Sequence, residues 1–157
     1  MRTKHSKRAK GLVKVVFELP KSDWYDYGTE SMWASHLGHD RYRLENIPFY
    51  AYGVSYGDVI VAGQIQGQIV FRIVSHRGGH STYRVFLYEG TTDEKFKRIW
   101  GELEQLGCTY EKATDRLFAI DVPPQANIYE AYGILERGET SQAWDFEEAH
   151  CGHPLGK

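Results

Sequence analysis

Seven residues of one stretch of the chain have side chains that do chemistry: Arg43, Asn46, Asp58, His80, Ser81, Thr82 and Arg84. Residues 80–88, HSTYRVFLY, read as a strand, in which alternate residues share a face. His80, Thr82 and Arg84 then point one way, and Ser81, Tyr83 and Val85 the other. Three polar groups on one face, beside Gly78-Gly79, make a candidate anion- or peptide-binding patch. Arg84 would take a carboxylate through its planar fork of donors. Arg43, Asn46, Asp58, His80, Thr82 and Arg84 are therefore the candidate ligand-binding set. The alternative is structural. Arg43 or Arg84 pairs with Asp58, and Asn46 ties down the turn before Pro48 by a side-chain-to-backbone bond.

Catalysis demands more than residue types. A nucleophile needs a base in reach and a third group to orient that base. Ser81 or Thr82, His80 or His76, and Asp58 supply the types. Neighbours on a strand face opposite ways, however, so His80 is badly placed to serve Ser81. No G-x-S-x-G elbow occurs. An acid–base pair of His76 and His80 would need positioning that a glycine-rich turn rarely provides. No catalytic residue is assigned, and the chain is expected to be non-enzymatic. For metal, His36 and His39 are three apart, His76 and His80 four apart, and Cys151 is two before His153. Such spacings converge on a helix, and neither His pair lies in a helical pattern. Zinc needs about three or four convergent ligands. Neither a metal site nor a cofactor is expected.

A second candidate surface is aromatic. Trp24, Tyr25 and Tyr27 share one loop with Asp23 and Asp26. Tyrosine and tryptophan are enriched in protein interfaces, and acids beside them suit a basic partner protein. Alternatively, the loop folds back as a lid on its own sheet.

The elements that must position these residues are clearest in the second half. Thr91 and Glu94 form a capping pair. Phe96, Ile99, Trp100, Leu103 and Leu106 follow on one helical face, and Gly107 stops the helix. Strands are expected over 108–112 and 117–122, the latter ended by Pro123-Pro124. Asn127 with Glu130 caps a second helix carrying Ile128, Ala131, Tyr132 and Leu135, ended by Gly138. Gln142–Glu147 alternates as a last strand. The order strand–helix–strand–strand–helix–strand is the ferredoxin-like, split βαβ pattern. The first half has little helical signal. Short segments at 12–19, 42–44, 59–62 and 68–75, punctuated by glycine, predict a small barrel or curled sheet. The expected organisation is a basic flexible tail over 1–10, a β-rich half over 11–78, a ferredoxin-like half over 79–149 and a flexible tail over 150–157. The paired glycines at 78–79 would form a flexible joint. The fold class is α+β.

Composition sets outer limits. The chain has 157 residues, 41% hydrophobic and 25% charged, with net charge −2. These are globular proportions. No apolar run reaches the ~18–20 residues of a membrane helix. The N-terminus is basic without an apolar segment behind it, so a cytoplasmic location is expected. Residues 1–10 carry five positive charges, whereas residues 91–157 carry seven positive and thirteen negative. The acidic second half argues against nucleic acid, whose binding rests on Lys and Arg neutralising phosphates. It also weighs against reading Tyr83, Phe86, Tyr88 and Phe118 as a base-stacking surface. The two cysteines make no disulfide framework. Cys108 is expected buried and Cys151 exposed.

Several phrases occur together: VKVVFELP, ESMWA, YRLENIPFYAYGVSYGDVIVA, GHSTYRV, LGCTYEKATDRLFAIDVPP and LERGETSQAWDFEEA. Their order and spacing over residues 12–149 resemble the bacterial domain of unknown function 4265 family. The resemblance implies a compact cytoplasmic bacterial protein and supplies no activity or catalytic residue. The expected function is non-enzymatic protein binding, in its sharpest form an immunity- or antitoxin-like inhibitor of a basic protein. A small-ligand protein or enzyme, using the polar residues at the joint, is the alternative.

Overall fold

The computed structural model describes residues 2–3 and 11–156. In chain order the elements are β1 (Arg2–Thr3), β2 (Leu12–Glu18), β3 (Thr29–Gly38), β4 (Arg41–Leu44), β5 (Val59–Ile65), β6 (Gln68–His76), β7 (Ser81–Leu87), α1 (Asp93–Gln105), β8 (Thr109–Lys112), β9 (Leu117–Val122), α2 (Ile128–Thr140) and β10 (Trp144–His150). The fold is mixed α+β. Strands β2 to β6 form a closed barrel, and the others form a sheet in the order β1-β8-β9-β7-β10. Most strand pairs are antiparallel; β2 with β6, which closes the barrel, and β1 with β8 are parallel. The basic segment expected as a tail over 1–10 lies outside the described residues apart from Arg2–Thr3.

Alternation builds the barrel. Val15 and Phe17 of β2, Met32 and Ala34 of β3, Leu44 of β4, and Ile60 and Ala62 of β5 meet inside it. The β5–β6 hairpin turns at Gln66 and Gly67, with φ of 51° and 80°. Two left-handed residues in a two-residue turn match the twist of the flanking strands. The barrel is thus closed rather than an open curled sheet.

Both helices cover one face of the sheet. Phe96, Trp100 and Leu103 of α1, and Ile128, Ala131, Ile134 and Leu135 of α2, pack on Tyr83, Val85, Leu87, Phe118, Ile120 and Trp144. Asn127 caps α2 by accepting from the amides of Tyr129 and Glu130 at 2.9 and 3.1 Å. The cap of α1 is Thr92, one residue later than the sequence pattern predicts, accepting from Lys95 N at 3.1 Å. Thr91 instead donates to the carbonyl of Ala143 at 2.7 Å. The last strand also runs later than the alternation predicts, from Trp144 to His150, with a register shift between Glu148 and His150.

Gly138 does not stop α2, which continues to Thr140. It is a close-approach residue: a Cβ there would lie 2.3–2.5 Å from the indole of the fully buried Trp144. Gly101 in α1 faces open space. The two glycines therefore respond oppositely to the same substitution. Gly101→Ala should stabilise by about 0.5–1 kcal/mol, through helix propensity alone. Gly138→Ala should destabilise by at least about 2 kcal/mol, because overpacking exceeds the propensity gain. Urea unfolding of both variants checks the pair.

Candidate functional site

The sheet's other face carries Thr82, Arg84, Ala119, Asp121, Glu111 and Glu147. The barrel's long connection between β4 and β5 lies over it. Residues 46–51 of that connection form no helix or strand and are almost wholly buried. Their backbone groups bond to buried charged side chains. Glu30 of β3 accepts from the amides of Phe49, Tyr50 and Ala51 at 2.7, 3.0 and 2.9 Å. Glu111 of β8 accepts from Ile47 N at 3.2 Å. Arg84 of β7 donates to the carbonyls of Ala51, Pro48 and Tyr50 at 2.9, 3.2 and 3.2 Å, and to Glu147 at 2.9 Å. Its guanidinium also lies 4.7 Å from the Tyr52 ring centroid. Ile47 and Phe49 insert against Ala119 of β9.

Four of the five Arg84 donors are thus taken within the chain. Asn46 accepts from Trp33 N at 2.6 Å, tying the connection to β3. Asp58 accepts from the amides of Ser55 and Gly78, both at 2.9 Å, and pairs with Arg77 at 3.1 Å. Neither Arg43 nor Arg84 is its partner. Arg43 sits on the exposed side of β4 and pairs with Glu45 at 3.3 Å. Gly78 is a close-approach residue: a Cβ there would meet the carbonyl oxygen of Gly57 at 2.7 Å. Thr82 and Ser55 share a buried hydroxyl–hydroxyl bond of 2.6 Å.

His80 and Ser81 go separate ways. The Nδ1 of His80 lies 2.8 and 3.0 Å from the two oxygens of buried Asp121. Its Nε2 is reached by solvent and has no hydrogen-bond partner among the described residues. The ring packs edge-on against Tyr56 at 5.3 Å. Asp121 was not among the residues singled out in the sequence, although it falls in phase with Leu117 and Ala119. Ser81 bonds His153 Nδ1 at 2.6 Å, and His153 Nε2 faces the carbonyl of Pro123 at 2.9 Å. That carbonyl can only accept, so Nε2 carries a proton and donates to it. Gly152 N donates to Ser81 Oγ at 2.9 Å. Residues 151–153 therefore dock on the start of β7, and Cys151 is half-buried rather than exposed. Cys108 is buried, which pushes its thiol up to about 12. His36 bonds the carbonyl of His39 at 2.7 Å, and His76 bonds Ser75 at 2.8 Å. Among the described residues, no group of three or more His, Cys, Asp or Glu could hold a metal.

The aromatic loop lies where cover by the barrel ends. Tyr25 is buried, donating to the carbonyl of Pro20 at 2.5 Å. Its ring and those of Trp24 and Tyr27 pack around Tyr50, with centroids 5.4, 5.5 and 5.0 Å from it. Burial, with Tyr27 and Glu30 nearby, pushes the Tyr50 phenol up to about 12. The loop folds partly back on the protein, yet Trp24 and Tyr27 remain 41% and 57% exposed, beside Phe86 at 46% and Tyr52 at 44%. Two grooves, of about 400 and 200 Å³, flank Trp24 and share Phe86 and Leu117. Asp26 lines the first and Asp145 the second.

These features define an α+β protein with a barrel joined to a helix-covered sheet across a charged seam. The sequence profile of a domain of unknown function (DUF4265) matches residues 30–146, and the chain belongs to that family. Glu30, Arg84, Glu111 and Asp121 all fall within the match. A solved structure described as a novel crystal structure of a hypothetical protein from Neisseria gonorrhoeae has the same overall fold. Its TM-score is 0.74 at 16% identity, over 93% of this chain and 98% of that one. No curated protein matches. Among the described residues, no helix is long and apolar enough to cross a membrane.

The seam makes two expectations concrete. Arg84→Ala should cost about 3–5 kcal/mol, because it strands buried carbonyls. Glu147→Gln should cost no more than about 1 kcal/mol, because Glu147 is a third exposed and water replaces the lost pairing. Chemical denaturation of both variants tests this. His150 Nε2 is buried without a partner among the described residues. Burial, then the charge of Arg77, lowers its pKa below the ordinary 6.5, while Asp58 and Glu148 oppose that shift. Below that value the unfolded chain takes up a proton that the native one resists, so this contribution to stability falls as pH falls. His150→Leu should flatten the decline in melting temperature between about pH 7 and 5.

Proposed function

We propose that this is a non-enzymatic binding protein whose docking face is the exposed aromatic surface around Trp24, Tyr27, Tyr52 and Phe86. The observation that carries this reading is the gathering of those rings on one face with the exposed carboxylates Asp23, Asp26 and Asp145. Large aromatic side chains supply contact area at little entropic cost, and carboxylates around them select a basic partner protein. An immunity- or antitoxin-like inhibitor acting in the cytoplasm of a bacterium is the sharpest form of this reading. We read the sheet half as ferredoxin-like. The element order and the strand order β8-β9-β7-β10 support that. Occupation of Arg84, Asp58, Thr82 and Asn46 by bonds within the chain favours the aromatic face over the seam as the docking site.

A second reading has one observation of its own. Asp121 orients His80 with a solvent-reached Nε2, an arrangement suited to binding an acidic small molecule or moving a proton. One experiment separates the two. The tagged protein and its Trp24→Ala/Phe86→Ala variant are used as bait at native expression. A single stoichiometric basic partner, weakened at least about tenfold by the double variant and released by salt, supports the docking face. Recovery of the bait alone overturns it. A small acid that then raises the melting temperature of the wild type but not of His80→Ala would support the second reading.

A further inference from the structure

We infer that the groove between Trp24 and Phe86 receives an arginine side chain of the partner, an inference that rests on the docking face proposed above. The groove is about 400 Å³, and its walls include Trp24, Tyr25, Tyr27, Tyr50 and Phe86, with Asp26 at its side. Aromatic faces carry negative quadrupole charge and attract cations. Asp26 is exposed and has no hydrogen bond or ion pair among the described residues. The groove therefore offers a free carboxylate beside part-exposed aromatic side chains, which is the complement of a cation with an apolar stem.

The choice among cations follows from hydration and geometry. An ammonium is compact and strongly hydrated, so aromatic walls strip water from it at high cost. A quaternary ammonium is weakly hydrated but has no N–H to give Asp26. A guanidinium is weakly hydrated, stacks on rings and carries a fork of donors for a carboxylate. The surface already uses this chemistry internally. Arg116 lies 5.0 Å from the Phe86 ring centroid, and Arg84 lies 4.7 and 6.0 Å from those of Tyr52 and Trp24. Both of these arginines have other partners: Arg116 donates to the carbonyl of Leu87 at 2.8 Å, and Arg84 holds the seam. The rings they touch remain part-exposed.

The test uses two acetylated, amidated peptides of equal length and charge, one alternating glycine with arginine and one alternating glycine with lysine. Each is titrated into the full chain. Binding is followed by the NMR signals of the Trp24 indole and the amides of 24–27, with calorimetry for Kd. The arginine peptide should shift these signals and bind about fivefold tighter than the lysine peptide. Asp26→Asn, which removes no bond within the chain, should abolish most of that preference while leaving the melting temperature unchanged. Equal affinity of the two peptides overturns the arginine assignment and leaves the basic-partner reading intact. A preference unchanged in Asp26→Asn, or shifts confined to residues away from Trp24, also overturns it. Loss of stoichiometric partner capture in the bait experiment would overturn the docking face itself, a separate outcome.

Discussion

The fold depends on a stretch of irregular backbone buried between two layers of regular structure. Residues 46–51 cannot pair as a strand, because Pro48 lacks a donor and the segment bends through the seam. A buried backbone amide or carbonyl without a partner is costly. Here Glu30 takes three successive amides, Arg84 takes three carbonyls, and Glu111 takes the amide of Ile47. Burying ions is itself expensive, and replacement of a buried ion pair by apolar groups is often neutral. That substitution is closed here. Apolar side chains in these positions would leave the backbone polar groups unmet. The seam is charged because the segment that crosses it is irregular.

This requirement explains why the polar residues at the joint are poor candidates for an open ligand site. A guanidinium with three carbonyls and a carboxylate has few donors left for anything else. The same holds for Asp58, which accepts from two amides and Arg77. The free chemistry is displaced to the margins of the seam. At one margin His80 presents Nε2; at the other, rings left over from packing around Tyr50 face solvent beside acids.

Local pattern was legible in the sequence wherever one residue's neighbours decide its role. The amphipathic spacing of Phe96, Trp100 and Leu103 located α1, and Asn127 its counterpart's cap. The alternation of Val15 and Phe17 placed β2. The misses share a cause, since they depend on residues distant in sequence. Gly138 looks like a helix stop until Trp144 is seen lying against it. The capping-box spacing to Glu94 favours Thr91, but Thr91 is drawn off to the carbonyl of Ala143 and Thr92 caps the helix instead. Arg77 is unremarkable until the turn brings it to Asp58. The buried acids did leave a trace. Glu30 stands in phase with Met32 and Ala34, and Asp121 in phase with Leu117 and Ala119. A charge on the inward rhythm of a strand marks a group with something to hold. Asp26 was legible only as an acid beside aromatic residues, because nothing in a loop's sequence tells which side chains fold inward.

The seam's holding residues are spread along nearly the whole chain, at 30, 84, 111 and 147. During synthesis from the N-terminus they emerge in that order. Glu30 can engage the amides of 49–51 as soon as the barrel strands are out. The carbonyls wait for Arg84. Arg84 in turn lacks its carboxylate until β10 emerges and pairs with β7. The barrel is thus the first part able to close, but its longest connection is finished last. A nascent chain stalled before residue 147 leaves the β7 edge unpaired and the Arg84 Nε without its carboxylate, and such an incompletely paired intermediate is prone to bind chaperones or aggregate. Completion of the last strand is therefore also the moment at which Arg84 gains its carboxylate.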